Sequence, residues 1–215
     1  MGIFNWIKRR LHTKKEYYES GKIKSIKEPV PFTETDKPWS NWDGISKWYI
    51  KEYYENGKLM SEGNVEDGFM NGCPVGYWKY YYENGKLMSE GNYSFNPHIT
   101  NNWGTEDGLW KYYYSNGNLK MEGELVFNGV MGVSKVGYWK FYHENGNLKM
   151  EGNLSGDHSF SEKITESGCW KFYHENGKLF QEGNYIEGKR DGDWKSYDET
   201  NKLIDKITYK KGEVV

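Results

Sequence analysis

The sequence predicts an all-β fold: an elongated single antiparallel meander sheet of about six to seven repeated β-hairpins. The first observation behind this is internal repetition. The segment YWKYYYENGKLMSEGNY at Tyr77–Tyr93 returns as LWKYYYSNGNLKMEGEL from Leu109, YWKFYHENGNLKMEGNL from Tyr138 and CWKFYHENGKLFQEGNY from Cys169. Weaker copies begin at Tyr49 and Asp193, with a trace, KKEYYESGKIKSIK, from Lys14. Such periodicity marks one supersecondary unit stacked many times. Second, each copy places β-favouring runs around a turn step, at Asn56-Gly57, Asn84-Gly85, Asn116-Gly117, Asn145-Gly146 and Asn176-Gly177. That is the strongest short hairpin signal. Third, hydrophobic content is 36% while aromatics reach 18%, which suits a sheet partly wet on each face better than an aliphatic globule.

Two hairpin registers fit the spacing. A two-residue type I′ turn would place Tyr82 opposite Leu87, whereas a type I turn followed by a Gly bulge would place Tyr81 there. The Tyr three places after the Trp recurs as Tyr53, Tyr81, Tyr113, Tyr142, Tyr173 and Tyr197, and the Leu after the turn recurs as Leu59, Leu87, Leu119, Leu148, Leu179 and Leu203. Fixed positions should face each other, since cross-strand aromatic–aliphatic pairs stabilise sheets. The bulged loop is therefore favoured. Trp78, Trp110, Trp139, Trp170 and Trp194 each follow a Gly by two residues and are expected to stack on one another as a structural spine. Gly63, Gly91, Gly123, Gly152 and Gly183 stand where such rings could lie over bare backbone.

Along the chain, residues 1–13 form a basic amphipathic segment. Residues 14–47 hold a degenerate first repeat and a Pro-containing connection, and residues 48–215 the hairpin array. In the first segment Phe4, Trp6, Ile7 and Leu11 accompany Lys8, Arg9 and Arg10. Three readings stand for it: contact with an anionic membrane, a cap on the first hairpin, or a disordered end. Pro29–Pro38 holds three of the five prolines and reads as an extended connection. Lys210, Lys211 and Glu213 place charge at the last edge, where it discourages end-to-end pairing.

The hairpins are nearly uniform, but the residues between them are not. Successive turn positions lie 36, 28, 32, 29, 31 and 24 residues apart from Ser20 to Thr200, and only the last interval is compact. The extra residues fall at roughly Glu66–Val75, Ser94–Asp107, Val126–Val136 and Ser155–Ser167. Their apolar members include Phe69, Met70, Ile99, Trp103, Phe127, Met131 and Phe160. Loops on a rigid scaffold often carry recognition. Phe69, Trp103, Phe127 and Phe160 are thus candidate partner-binding residues. The competing reading has the insertions fold over the Trp positions and bury them.

Net charge is −2, which argues against broad nucleic-acid binding. Residues 1–30 carry eight Lys/Arg against three acids, leaving 21 against 28 over the rest. Two cysteines without a ligand pair, Cys73 and Cys169, point to a reduced cytoplasmic protein. No apolar run approaches a membrane span, and the basic start has the wrong order for a secretory signal. No nucleophile elbow, P-loop, zinc helix or paired C-x-x-C occurs, so no catalytic residue, cofactor or metal is expected. His143 and His174 occupy a slot held elsewhere by Tyr54, Tyr82 and Tyr114. His158 beside Asp157 is a poor base. Glu83, Glu90, Glu144, Glu151, Glu175 and Glu182 repeat, as solvated cross-strand partners of Lys79, Lys140 and Lys171 would.

The pattern G-x-W-K-x-Y-x-x-N-G-x-L-x-x-E-G-N-Y resembles the bacterial MORN-repeat variant, the repeat of YwqK-type antitoxin-like proteins, over about residues 14–210. Tyr185–Tyr197 (YIEGKRDGDWKSY) looks most like that family's compact linker. The resemblance implies a non-enzymatic binding scaffold with a protein partner, such as a toxin or effector. In the wider family it also implies membrane-proximal placement. No residue motif for either activity carries over. The function expected is an antitoxin- or immunity-like protein-binding scaffold in the cytoplasm. The alternative is a peripheral membrane-associated scaffold anchored by Phe4, Trp6, Ile7, Lys8, Arg9 and Arg10.

Overall fold

The computed structural model describes residues 12–30, 46–67, 72–94, 104–127, 132–156 and 164–215. They form fifteen strands: β1 (Lys14–Tyr17), β2 (Ile23–Pro29), β3 (Ser46–Tyr53), β4 (Leu59–Asp67), β5 (Cys73–Tyr81), β6 (Leu87–Ser94), β7 (Thr105–Tyr113), β8 (Leu119–Phe127), β9 (Val133–Tyr142), β10 (Leu148–Gly156), β11 (Ile164–Tyr173), β12 (Leu179–Ile186), β13 (Lys189–Tyr197), β14 (Leu203–Lys210) and β15 (Glu213–Val214). All fifteen join one antiparallel sheet in strict chain order, the meander expected from the repeats.

The bulged hairpin register is the one adopted. Tyr80 faces Ser89 and Tyr81 faces Leu87, with the register shift between them. Within the turn, Gly85 N–H donates to Tyr82 O and Tyr82 N–H to Lys86 O, both at 2.8 Å. Gly85 has a φ of 87°, which a bulge residue needs and which glycine adopts without a Cβ clash. Asn precedes it because its Oδ1 accepts from Lys86 N–H at 2.9 Å. In the last bulged hairpin Asn201 takes the glycine's place with a φ of 72°.

A second irregularity joins one hairpin to the next. Glu62 faces Lys79 and Asn64 faces Val75, so the lone Gly63 opposes Gly76, Tyr77 and Trp78. The same skip recurs at Gly91, Gly123, Gly152 and Gly183. Gly76 opens the bulge with a φ of 66°, and the equivalent glycines share that conformation. The bulge drops the indole of Trp78 onto Gly63, where an added Cβ would collide with the ring. Trp110, Trp139, Trp170 and Trp194 cover Gly91, Gly123, Gly152 and Gly183 in the same way. The interrupted ladder leaves the Asn64 carbonyl for the indole N–H of Trp78 at 2.9 Å. Trp110, Trp170 and Trp194 repeat that bond to Asn92, Asn153 and Asn184, whereas Trp139 donates to Val136 O at 3.0 Å.

These five indoles are the main core, at most 6% exposed, but they do not stack on one another. Tyr93 stands between Trp78 and Trp110, edge-on to both at 6.1 and 5.3 Å. Tyr185 does the same between Trp170 and Trp194, and Leu125 packs with Trp110 and Trp139. Successive tryptophans lie two strands apart, roughly 9.6 Å, too far for ring contact without an intervening side chain.

Candidate functional site

The topology sorts the connections onto the two long edges. The seven bulged or related tight turns follow β1, β3, β5, β7, β9, β11 and β13, so they line one edge. There they form a ladder of polar bonds. Asn56 Nδ2 donates to Glu83 O at 3.2 Å, Asn84 to Ser115 O at 2.7 Å, Asn116 to Glu144 O and Asn145 to Glu175 O at 2.8 Å. The Lys58 ammonium reaches Asn84 O at 3.0 Å, and Lys86 reaches Asn116 O. The side chain before each turn ties the array again. Tyr54, Tyr82 and Tyr114 hydroxyls donate to the carbonyls of Tyr81, Tyr113 and Tyr142. His143 and His174 bond the carbonyls of Tyr173 and Tyr197 through Nε2, doing structurally what those tyrosines do.

The sheet face opposite the indoles carries the repeated acids and lysines. They are in register as expected, Lys79 facing Glu90 and Lys140 facing Glu151. The closest partners of the carboxylates are nevertheless tyrosines of the next hairpin. Tyr81 donates to Glu62 at 2.7 Å, Tyr113 to Glu90 at 2.7 Å, Tyr142 to Glu122 at 2.8 Å, Tyr173 to Glu151 at 2.6 Å and Tyr197 to Glu182 at 2.9 Å. Among the described residues no ion pair within 4.0 Å forms at Lys79, Lys140 or Lys171, while Lys111 and Glu122 meet at 4.0 Å. The cross-strand placement opposite lysine is as expected, and the tyrosine hydroxyls are an additional partner reached across the bulged junction. Burial first, then the neighbouring carboxylates, raise these phenols above the ordinary tyrosine range; Tyr49 and Tyr138 stand at about 12. Tyr77, Leu109 and Tyr138 lie about half exposed on this face.

The opposite long edge receives the non-repeating connections. The compact one, Glu187-Gly188, turns with φ values of 51° and 73°, a two-residue type I′ geometry. Of the four candidate partner-binding residues, Phe127 ends β8 at this edge, partly buried and opposite Val133. Phe69, Trp103 and Phe160 lie outside the described residues. So do Met70, Ile99, Met131, Asp157, His158 and the proposed membrane-contact residues Phe4, Trp6, Ile7, Lys8, Arg9 and Arg10.

Sequence reasoning missed a variable slot on the indole face, two residues before each bulge glycine. It holds Lys135 and Arg190 in two units, Glu106 and Glu166 in two others and Pro74 in the fifth. Lys135 Nζ stands 4.8 Å from the centre of the Trp139 ring, and the Arg190 guanidinium 4.1 Å from that of Trp194. Burial and Lys120 lower the Lys135 ammonium from its usual range, and burial raises the Glu106 carboxyl. The signal was present in the alternation of charge at one position of otherwise matching copies. Among the described residues, no cluster of three or more metal-ligating side chains occurs, and no helix is long and apolar enough to cross a membrane.

Comparison with curated proteins gives no match. Among solved structures, the crystal structure of TcdB2-TccC3-Cdc42 aligns over 91% of this chain and 11% of that chain, at 14% identity and a TM-score of 0.22. That of TcdB2-TccC3-TEV aligns over 92% and 14%, at 12% identity and a TM-score of 0.14. The chain thus spans a small fraction of those chains, and scores this low carry no argument. The family model for the MORN repeat variant matches residues 13–28, 42–67, 74–94, 106–126, 135–154, 166–187 and 190–211, seven segments that coincide with the hairpins. MORN repeats are in general protein- or membrane-binding modules. This chain belongs to the MORN repeat variant family.

Proposed function

We propose that the chain is a non-enzymatic protein-binding scaffold of the antitoxin or immunity kind. It holds a protein partner along the sheet and its inter-repeat insertions, in the cytoplasm. One observation carries this reading. The repeated side chains are committed to internal bonds, indole on glycine, tyrosine on glutamate and asparagine on the next turn, while the non-repeating connections gather on one long edge. Such a division suits a rigid frame that presents variable contacts. Trp103 and Phe160 are the contacts of choice, because interface anchors are rich in large aromatic groups.

The test is affinity capture of the full chain from its source cell. The Trp103→Asp/Phe160→Asp variant is expected to lose a stoichiometric protein partner while its thermal unfolding midpoint stays within about 2 °C of the parent. A partner retained by that variant would overturn the assignment of the interface. Co-sedimentation with anionic liposomes that depends on residues 1–13, with no captured protein, would favour the membrane-associated scaffold instead.

A further inference from the structure

The variable slot on the indole face has a consequence for recognition. Its occupants stand directly across from a ring or aliphatic group of the preceding strand: Lys135 from Leu125, Arg190 from Tyr185 and Glu106 from Tyr93. Lysine and arginine there turn inward. Lys135 covers Trp139 and also lies 5.6 Å from the Phe141 ring, and Arg190 covers Trp194 and lies 5.4 Å from Tyr209. At the start of the array Trp48 is covered similarly, by Lys14 at 5.0 Å and Lys27 at 5.1 Å. These aromatic clusters therefore contain their own cations.

The cluster around Glu106 does not. Tyr93 is edge-on to Trp78 and Trp110, Tyr80 stacks on Trp78 at 5.8 Å, and Tyr112 stacks on Trp110 at 5.9 Å. Tyr80 donates its hydroxyl to that of Tyr93 at 3.0 Å. Among the described residues no cation lies over any of these rings. Between Lys58 and Lys111 the only lysines or arginines are Lys79 and Lys86. Lys79 stands across from Glu90 on the opposite face, and Lys86 is bound at the turn edge. The carboxylate of Glu52, held by the Ser61 hydroxyl at 2.6 Å, adds negative charge next to Tyr80. A ring face attracts a cation through its quadrupole, and a partly desolvated carboxylate strengthens that attraction.

We propose that Glu106, with Tyr80, Tyr93 and Tyr112, forms a receptor for a lysine or arginine side chain projecting from a protein partner. The inference rests on the protein-binding reading and adds the chemistry of one contact. The guest occupies the place that Lys135 and Arg190 fill in their own units. Glu106 and the three tyrosines all remain partly accessible, so a side chain can reach them without unfolding the sheet.

The experiment is an NMR titration of the isotope-labelled full chain, read at the indole N–H signals of Trp78 and Trp110. Probes are Nα-acetyl-arginine amide and Nα-acetyl-lysine amide, with Nα-acetyl-citrulline amide as the neutral control. Phosphatidylcholine vesicles present the competing cationic headgroup. The cationic amides should shift those two indoles selectively and citrulline should not. Glu106→Gln should weaken binding about tenfold or more. Glu106→Lys, which supplies a resident cation like Lys135, should abolish it while the other indole signals stay in place. Equal response to citrulline, indifference to both Glu106 variants, absence of any shift, or response to vesicles alone would each overturn the proposal. The two readings fail separately. Capture of a partner that ignores both Glu106 variants refutes only the cation receptor, whereas specific amide binding without a captured protein refutes only the scaffold role.

Discussion

The clusters around Tyr93 and Tyr185 share nearly the same edge-on ring geometry and differ in charge at one position, while Phe172 and Ser196 stand where the first has Tyr80 and Tyr112. Tyr93 is edge-on to Trp110 at 5.3 Å and 88°, and Tyr185 to Trp194 at 4.9 Å and 83°. Across from Tyr185 the chain supplies Arg190, which covers Trp194 and donates to Gln181 Oε1 at 3.0 Å. Across from Tyr93 it supplies Glu106, for which no hydrogen bond or ion pair forms among the described residues. The repeat therefore sets where rings stand, and the slot before the bulge sets what charge meets them. One cluster is closed on itself and the other is left negative. A position can thus change its chemistry without disturbing the hairpin that carries it.

The largest expected effect tests the part the clusters share. Trp110→Ala should cost about 4 kcal/mol in denaturant unfolding, because it empties a fully buried site between two hairpins. Next, Gly91→Ala and Gly183→Ala should each cost about 3 kcal/mol, since a Cβ would strike the indole of Trp110 or Trp194. Similar losses in both would confirm a common frame; a tolerated alanine at one of them would show that the frames differ.

Changes at the slot itself should be smaller and of opposite sign. Arg190→Ala should destabilise by about 1 kcal/mol through lost cation–π and hydrogen-bond contacts. Glu106→Gln should instead stabilise slightly at neutral pH. Burial raises the folded-state pKa of Glu106, so its proton linkage favours folding at low pH, and that contribution is lost as pH rises through the folded value. The ionised carboxylate is then a cost that glutamine removes. Stability loss in Glu106→Gln at neutral pH would contradict this. A last effect is distributed over the sheet. Tyr113, Tyr142 and Tyr173 are raised by burial and by their glutamate partners, so their contribution is fully present below about pH 10 and lost above it. The unfolding midpoint should hold up to about pH 10 and fall above it, with the phenols titrating late.

Much of this frame is legible in the sequence because it is written several times. Recurrence of Tyr81 and Leu87 equivalents is enough to choose the bulged register, and recurrence of Gly63 equivalents to place bare backbone under the indoles. Direct Trp stacking is not what forms, because repetition does not show that successive tryptophans lie two strands apart, with Tyr93 or Tyr185 between them. The tyrosine–glutamate bonds escape the sequence for a related reason. They cross the junction between hairpins, whose three-against-one register is not deducible from either hairpin alone. Glu106 gives no signal to a search for repeats because its slot varies, holding Pro74, Lys135 and Arg190 in other units and glutamate again at Glu166, opposite an aliphatic Leu154 where Glu106 meets Tyr93.

The central claim is that a uniform sheet supplies the fold and its non-repeating edge supplies recognition. The most direct measurement replaces residues 68–71, 95–103, 128–131 and 157–163 by Glu-Gly turns copied from Glu187-Gly188, then compares unfolding and partner capture. The account predicts one cooperative transition with its midpoint kept and the partner lost. A chain that unfolds when its insertions are removed, or that still captures its partner, would contradict it.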